Sequence, residues 1–466
     1  MWAEDTNIGP KRSLILAGGG MRVAYQAGVI MALEEAGIRF SHVDGTSGGI
    51  FNAAMLASGL TPKDIASRWR SLNIRNFVSG RRFRDYLKPF AMSGYADADN
   101  IRLKVFPHLG INLNKIRSNN DATFSFNLCN FSNKTIEAIS HDKVAEDHLI
   151  AGVSLPMMMP ALKIGNDWYT DAVWIKDAHL MEAVRQGAEE LWMVWIIGNS
   201  PSYLAGAFNQ YVHMIEMSAN GALWEEFEQI RLINQAVANQ ANSFIRLKVL
   251  KPPRPLPLDP DLFFNKINAR ELINMGYAAA KRDLQEQPDG WTSMNPQSTK
   301  TADVGQVLSF RAKFQGKLLY GERLVEVKYY VYVRFISSNL QSDVELYACL
   351  YLGQVGEEIA TYNNTIKTLN SSTWLFTSKL MLQGQEQQVT AEIPRSPPID
   401  FVLGFAMKRC RIDVANEEGV WLKGVLYQTA FDRIKASYFT SLRDEGKQGS
   451  LRKRFLMLSK FIRHEV

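Results

Sequence analysis

Two short apolar segments near the start of the chain both run into glycine and then into a helical pattern. Residues 13–17 read SLILA and lead through Gly18, Gly19 and Gly20 into a stretch with apolar residues at helical spacing. Residues 42–44 read HVD and lead through GTSGG into IFNAAMLA. A strand, a tight glycine turn and a helix, repeated in this way, are typical of a sheet with parallel strands. We therefore expect an α/β domain with a mostly parallel sheet.

The pattern changes after a polar segment, residues 287–305, that is rich in Gly, Pro, Ser and Thr. Beyond it apolar and polar residues alternate, as in RLVEVKYYVYVRF at 323–335, and DFVLGFAMK at 400–408 continues the series. Alternation of this kind predicts an antiparallel sandwich or barrel, and we take a sandwich-like arrangement as the expectation. Tyr330 and Tyr332 fall on the polar face, where we expect them to be exposed.

A chain of 466 residues is too long for one ordinary hydrophobic core. We predict an α/β domain at 10–286, a linker at 287–305, a β-rich domain at 306–430 and a basic helical tail at 431–466. One stripe of the tail helix is apolar and comprises Leu451, Phe455, Leu458 and Ile462. A basic amphipathic helix can lie on an anionic lipid surface, or its apolar stripe can pack on its own protein. The sequence leaves both open.

The composition is that of an ordinary globular protein, with 46% hydrophobic and 21% charged residues. A net charge of +6 is modest for this length and does not indicate a nucleic-acid-binding protein. The three cysteines are widely spaced, which gives neither a disulfide framework nor a metal cluster and favours a reducing compartment. No apolar run reaches the length of a membrane span. We expect a cytoplasmic protein, with secretion through a route that reads other signals left open.

Gly45, Ser47 and Gly49 have the spacing G-x-S-x-G between the second strand and its helix. A serine hydroxyl is a weak nucleophile that needs a base, and the oxyanion it creates needs hydrogen-bond donors. A tight strand-to-helix turn would expose the serine at a helix N-terminus, where the helix dipole favours negative charge. The two glycines allow that crowded turn, because a side chain would clash there.

The three successive glycines at 18–20 add backbone N–H groups at the start of the first helix, which is a suitable cradle for an anion. The dinucleotide-binding pattern fails because Val23 stands at its third glycine, and no Gly-Lys-Ser/Thr follows for a phosphate-binding loop. An oxyanion-binding loop close to a serine turn is the better interpretation. The alternative is a tight turn that only lets the first helix pack.

Taken in order, GGGMRV, GTSGG and SLPMMMPALKIGNDWYTDA resemble the patatin-like phospholipase family over roughly residues 10–285. The resemblance implies a three-layer α/β/α fold and a Ser–Asp dyad. Ser47 would attack an ester carbonyl, and Asp171 would take its proton and later activate water. Oxyanion donors would come from the backbone of Gly18, Gly19, Gly20 and Gly48. Supporting roles fall to Arg22, which would hold the glycine loop, and to Gly45 and Gly49.

By the same resemblance the protein is a lipid acyl hydrolase of phospholipase A or lysophospholipase type, acting on glycerophospholipids. No organic cofactor and no metal is implied, and peripheral membrane contact through the basic helix is compatible with such a substrate. A protein partner of the β-rich domain is not indicated. Two alternatives stay open. Val23 and Ala172 stand where the family has glycine, which leaves room for an inactive lipid- or protein-binding module. An acyltransferase or thioesterase could use the same dyad.

Other polar residues after Asp171 are weaker candidates for catalytic roles. A Ser–Asp–His triad would need a histidine after Asp171, and the sequence offers only His179, His213 and His464, none within a motif. We expect Asp177 to make a local cap or pair. The three methionines at 157–159 suit either an adaptable acyl-chain site or core packing.

Overall fold

The computed structural model describes residues 10–77, 79–80, 86–87, 92–198, 203, 205–237, 244–257, 267–288, 290–302, 305–337, 342–370, 372–403, 406–439, 441–444, 447–448 and 451–463. The chain divides into two compact units. The first comprises Met1–Phe263 and Asp283–Thr301, and the second Phe264–Arg282 and Ala302–Val466. These units do not follow the predicted domain bounds. Residues 264–282 belong to the second unit, and most of the predicted linker belongs to the first.

The first unit is built on an eight-stranded sheet, and it also has a two-stranded ribbon. Its strands are β1 (Arg12–Leu16), β2 (His42–Thr46), β3 (Ser79–Gly80), β4 (Ala96–Asp97), β5 (Thr123–Asn130), β6 (Thr135–Ser140), β7 (Leu162–Ile164), β8 (Asp167–Asp171), β9 (Glu190–Val194) and β10 (Arg246–Leu250). The large sheet has the order β10-β9-β1-β2-β5-β8-β7, with β6 also paired to β5. The strands from β10 to β5 are parallel, whereas β6, β7 and β8 pair antiparallel. The predicted mostly parallel α/β sheet is confirmed.

Helices connect these strands. They are α1 (Ala24–Glu35), α2 (Gly49–Ala57), α3 (Pro62–Ser71), α4 (Phe106–Leu109), α5 (Leu113–Arg117), α6 (Glu146–Gly152), α7 (Leu180–Arg185) and α8 (Ala207–Ala236). Short 3-10 turns span Gly20–Val23, Ile74–Phe77 and Ala172–Trp174, and a π-helical turn spans Ile101–Val105.

The central strands are buried on both faces, as parallel strands covered by helices should be. Every residue of β2 and β9 is buried, and so are the last four residues of β1. On one face, α7 and α8 pack against β1, β9 and β10 through a cluster that includes Leu180, Phe227, Ile15, Met193 and Leu247. This packing holds the carboxyl ends of β1 and β2, and hence both glycine turns, in fixed positions.

The segment predicted as a linker lies along the edge strand β10. Thr292 N donates to Leu247 O at 2.7 Å, and Val249 N donates to Thr292 Oγ1 at 3.0 Å. Lys248 Nζ donates to Gln287 O and to Gly290 O, both at 2.9 Å. These bonds satisfy backbone groups that an uncovered sheet edge would leave unpaired.

The described residues of the second unit form ten strands. They are β11 (Gln306–Tyr320), β12 (Arg323–Ser337), β13 (Ser342–Leu352), β14 (Glu357–Asn370), β15 (Thr373–Leu382), β16 (Gln385–Pro394), β17 (Arg409–Asn416), β18 (Gly419–Tyr427), β19 (Ser441–Asp444) and β20 (Lys447–Gln448). Strands β11 to β18 form a closed antiparallel barrel, because β11 pairs with both β12 and β18. The predicted β-rich class is confirmed, and within it the structure shows the barrel rather than the sandwich.

The alternating pattern of β12 correctly predicts its inward face. Val325, Val327, Tyr329, Val331, Val333 and Phe335 are all buried in the barrel core. The expectation of exposed tyrosines is wrong for Tyr332, which is 5% exposed and stacks on Tyr347. Tyr330 is covered by the Arg270 guanidinium, which lies 4.0 Å from its ring centroid. Arg270 belongs to α9 (Ala269–Glu286), so a helix from earlier in the chain covers part of the outer face.

The strand expected at 400–408 is also wrong. Pro398–Leu403 forms a helix, α10, and β17 begins only at Arg409. A short apolar run has no periodicity that separates a strand from a buried helical turn. Proline is well tolerated in the first turn of a helix, where its missing N–H is not needed.

Two further helices, α11 (Ala430–Phe439) and α12 (Leu451–Arg463), flank the short strands β19 and β20. The tail is therefore not wholly helical. Met457, Leu458 and Phe461 of α12 are buried in the barrel core. The Phe461 ring lies 5.0–5.5 Å from the rings of three core residues, namely Phe310, Phe335 and Trp374. Leu458 of the predicted stripe thus packs on its own protein, whereas Phe455 of that stripe is 41% exposed.

Candidate active site

Ser47 stands on a strained turn between β2 and α2. Its φ of 51° lies in the left-handed region, which is rare for a residue with a side chain. The flanking glycines are sterically required. A Cβ on Gly49 would lie 2.0 Å from Leu16 O, and one on Gly45 would lie 2.8 Å from Ala53 Cβ. The two glycines are therefore required by crowding, because β1, β2 and α2 converge beneath the serine.

Ser47 and Asp171 meet although 124 residues separate them. Ser47 Oγ donates to Asp171 Oδ2 at 2.6 Å. The second oxygen, Asp171 Oδ1, accepts from Val173 N at 2.9 Å, and Asp171 N donates to Ser154 O at 3.1 Å. Strand β8 positions the aspartate by pairing with β5, which in turn pairs with β2. The carboxylate is thus held at both oxygens and aimed at the hydroxyl.

Burial changes the acid–base behaviour of this aspartate. Asp171 is 1% exposed, and loss of hydration raises its pKa to about 7 against the opposing effect of the bonds from Ser47 and Val173. A carboxylate with a pKa near neutrality is a much better proton acceptor than an ordinary one. The arrangement can therefore take a proton from Ser47 when the hydroxyl attacks.

The glycine loop lies beside the serine. Gly19 and Gly20 both have positive φ, 147° and 60°. Arg22 Nε donates to Gly19 O at 3.0 Å, a contact that holds the loop. Gly18 N already donates to Asp177 O at 3.3 Å. Gly48 lies so close to the loop that an added Cβ would be 2.4 Å from Gly20 O.

The two positions that depart from the glycine pattern have ordinary backbones. Val23 has φ −61° and ψ −11°, a helical conformation open to any residue. Ala172 is the first residue of the 3-10 turn after the aspartate, and it is not among the residues with positive φ. Since neither position needs glycine's conformational freedom here, neither substitution distorts the site.

The model of the Patatin-like phospholipase family matches residues 14–183, a range that contains the serine turn, the glycine loop and Asp171. This part of the chain is a patatin-like phospholipase domain. Its family is one of lipid hydrolases.

Two further comparisons cover part of the chain. The uncharacterized protein YqhO of Bacillus subtilis (strain 168) is 47% identical over 51 residues, which are 11% of this chain and 18% of YqhO. The chain thus spans less than a fifth of that relative's length. A crystal structure of VipD from Legionella pneumophila is 13% identical, with a TM-score of 0.35, over 59% of this chain and 67% of that one.

His179 and His213, the described histidines after Asp171, bond to residues other than Ser47 and Asp171. His179 Nδ1 bonds Asn127 Oδ1 at 3.0 Å, and Arg185 bonds its Nε2 at 2.9 Å. Burial lowers the pKa of His179 to about 3, so its ring is neutral. His213 pairs with Glu216 at 3.2 Å, and His464 lies outside the described residues. None of the described contacts joins a histidine to the dyad.

Sequence reasoning missed a set of polar residues behind β2. Asn127 Nδ2 donates to Asp44 Oδ1 at 2.7 Å and to Thr46 Oγ1 at 2.9 Å, so this asparagine ties β5 to the strand that carries Ser47. Asp177 is likewise buried beside the glycine loop, and its side chain does not make the local cap or pair that we expected. The only sequence signal for these groups is a polar residue within an otherwise buried segment.

The methionine segment is not ordinary core. Met157 is 56% exposed and has a φ of 68°. Backbone bonds tie the segment to residues 95–96, since Tyr95 N donates to Met157 O and Ala96 N to Met158 O. Tyr211 of α8 donates its hydroxyl to Pro156 O. The helices were also compared with the length of a membrane span. Among the described residues, no helix combines the length and the apolar character needed to cross a membrane.

Proposed function

We propose that the patatin-like domain is a serine lipid acyl hydrolase of the phospholipase A or lysophospholipase type. The observation that carries the proposal is the 2.6 Å hydrogen bond from Ser47 Oγ to Asp171 Oδ2, made in a buried setting. A hydroxyl bonded to a desolvated carboxylate is an activated nucleophile, and the family match supports a lipid as its target.

The reaction would proceed in two stages. Ser47 Oγ attacks the ester carbonyl carbon while Asp171 takes the hydroxyl proton and passes it to the departing alcohol. The acyl-enzyme is then hydrolysed by a water molecule that gives its proton to Asp171, and Ser47 recovers the proton as the fatty acid leaves. One carboxylate serves as base and acid in turn, for which a pKa of about 7 is suited.

Oxyanion stabilisation would come from backbone donors. We assign this role to the N–H groups of Gly19, Gly20 and Gly48. Gly48 is the N-cap residue of α2 and receives no side-chain cap, and helix N-termini favour nearby negative charge. We leave Gly18 out, because its N–H already donates to Asp177 O.

A glycerophospholipid substrate would bring the protein to a lipid surface. We propose that α12 contributes there through its basic side chains and the exposed Phe455, since Leu458 and Phe461 are buried in the barrel. The three cysteines are buried and form no disulfide, which supports the cytoplasmic location proposed from the sequence.

The test is to label the purified protein with a lipophilic fluorophosphonate and to map the adduct by mass spectrometry. We expect the label on Ser47. It should be lost in Ser47→Ala and reduced in Asp171→Asn. Phosphatidylcholine and phosphatidylglycerol vesicles then serve as substrates for release of fatty acid. A folded wild-type protein that neither reacts nor releases fatty acid would favour a binding role instead. If acyl groups are instead recovered on an added alcohol or thiol, this result would favour an acyltransferase.

A further inference from the structure

Asp177 is a buried carboxyl group that the dyad mechanism does not use. Its exposure is 0%, and neither Oδ1 nor Oδ2 makes a hydrogen bond of normal geometry with the described residues, although the Gly18 N–H lies close enough to lower the pKa of the carboxyl group. Buried polar atoms are nearly always paired, so two unpaired oxygens on one carboxyl group are unusual. Leaving them without a partner costs free energy unless a bound molecule completes the set.

The carboxyl group lies directly beside the nucleophile. A Cβ built on Gly18 would be 2.2 Å from Asp177 Oδ1 and 2.7 Å from Ser47 Cβ. Both side chains therefore border the same point in front of the Gly18 backbone. A turn brings Asp177 there after the dyad residue, since Ala172 O accepts from Ile175 N and from Lys176 N, both at 2.8 Å. Glycine at position 18 leaves the space that the carboxyl group occupies.

Its surroundings favour the protonated form. Burial raises the pKa of Asp177 well above its ordinary value, and the negative charge of Asp171 raises it further. Arg22 and the Gly18 N–H act in the opposite direction but are outweighed. A protonated carboxyl group carries one O–H donor, whereas an ionised one can only accept.

The glycine loop supplies fewer free donors than its three residues suggest. Gly18 N–H is used in the bond to the Asp177 carbonyl. Asp177 therefore occupies one N–H donor of the loop with its backbone and places its own carboxyl group beside Gly18. We propose that Asp177 is a catalytic hydrogen-bond donor, whose carboxylic acid O–H binds the substrate carbonyl oxygen and the oxyanion formed from it. The inference rests on the proposed hydrolase function and adds a side-chain donor to it.

The step balances without any further reactant. The electron pair of the carbonyl π bond moves onto the carbonyl oxygen as Ser47 Oγ forms its bond to carbon. The Ser47 proton goes to Asp171, while Asp177 keeps its own proton and shares it in the hydrogen bond. When the carbonyl re-forms, the alcohol leaves with the proton from Asp171. Asp177 is thus unchanged at the end of each stage.

Two substitutions separate this role from a structural one. Asp177→Asn keeps the shape and an N–H donor, whereas Asp177→Leu removes every polar atom. We expect Asp177→Leu to lower kcat by about 100-fold with KM changed less than about threefold, as for loss of one oxyanion donor. In the wild type, ionisation of Asp177 at alkaline pH should lower kcat. Asp177→Asn should keep kcat within about tenfold of the wild-type value and should not show this decrease at alkaline pH.

A matched control is Glu271→Gln. Glu271 is also buried, and burial raises its pKa, but it lies on α9 and makes none of the described contacts with Ser47, Asp171 or Asp177. Its substitution should leave the kcat–pH profile unchanged. Infrared difference spectra at neutral pH, wild type minus Asp177→Asn, should contain the C=O stretch of a protonated carboxylic acid.

The outcomes are distinct. An Asp177→Leu variant with wild-type kcat, or a difference spectrum without the carboxylic acid band, overturns the inference while an active wild type keeps the hydrolase function. An inactive wild type that fluorophosphonate does not label overturns the function, and the inference with it. If Asp177→Leu does not fold, the infrared band and the Asp177→Asn pH profile still decide.

Discussion

The carbonyl oxygen of Leu16 occupies the space that a side chain on Gly49 would need, 2.0 Å from the position of its Cβ. The oxygen belongs to the backbone and the position of a Cβ is fixed by the backbone, so neither can swing aside as the end of a flexible side chain would. The end of β1 and the first turn of α2 are therefore packed in direct contact, and the strained Ser47 backbone is held between them.

Gly49→Ala should lower both stability and activity. The added methyl group would force β1 and α2 apart, at a cost of about 1–3 kcal/mol in the free energy of unfolding, and would move Ser47 away from Asp171. Urea denaturation and fluorophosphonate labelling measure the two effects. The control is Gly221→Ala in α8, where nothing lies within 4 Å of the added Cβ. That variant should be more stable by about 0.5–1 kcal/mol, and an equal response of the two would contradict the steric argument.

Asp171→Asn should reduce ester hydrolysis by about 10²–10⁴-fold, the usual contribution of a general base. The amide oxygen can still accept the Ser47 hydrogen bond, but the amide cannot take the proton. Release of fatty acid from vesicles gives the measurement. Asp167→Asn, on the same strand but bonded to Asn130 rather than to the serine, is the matched control and should keep wild-type activity. Full activity in Asp171→Asn would rule out the dyad.

The wild-type rate should rise with pH through neutrality, because only ionised Asp171 is a base and its pKa is about 7. Stability should change in the opposite direction. Between about pH 4 and pH 7 the unfolded state binds fewer protons than the folded state, so the free energy of unfolding falls as pH rises, by roughly 4 kcal/mol for this one group.

Urea denaturation at several pH values tests that relation. Asp171→Asn should flatten the decline by the amount given, since its amide does not ionise. Ser47→Ala should extend the decline to higher pH, because it removes the hydrogen bond that lowers the pKa of Asp171. A pH dependence that is identical in wild type and Asp171→Asn would mean that this carboxyl group titrates normally.

Phe461→Ala should unfold the barrel more easily, by about 3–5 kcal/mol, as for a large aromatic side chain removed from a core. Its ring is fully buried against Phe310, Phe335 and Trp374. Phe455→Ala on the same helix is the control, since that ring is 41% exposed and should cost less than about 1 kcal/mol. Guanidinium denaturation followed by tryptophan fluorescence compares the two variants. Equal effects would show that α12 does not complete the core.

Much of the site was predictable because its residues lie in local patterns. The glycines around Ser47 mark a turn that no other residue can make, and the alternation in β12 marks a buried face. Asp171 was reached through the family resemblance, since a lone aspartate after an aromatic stretch carries no chemistry of its own. Its partner Val173 N and its burial depend on β8 pairing with β5, which the sequence does not encode locally.

The missed features all depend on distant packing. Tyr332 looks exposed by alternation, but Tyr347 of the neighbouring strand stacks on it, and Arg270 from earlier in the chain covers Tyr330 on the same face. Asp177 looks like a loop carboxylate until the fold brings it against Gly18. The choice between sandwich and barrel rests on one strand pairing, β11 with β18, between the first and last members of the series.

That closing pair also sets the order in which the barrel can be completed during synthesis. β11 can pair with β12 as soon as both leave the ribosome, because their register runs without a break from Gln306 with Ser337 to Tyr320 with Arg323. The other edge of β11 has to wait for β18. Until then a nascent chain carries an unpaired edge next to an apolar face, the form in which strands join the wrong neighbour. The yield of folded protein in a cell should thus depend on chaperones that shield this edge while translation continues.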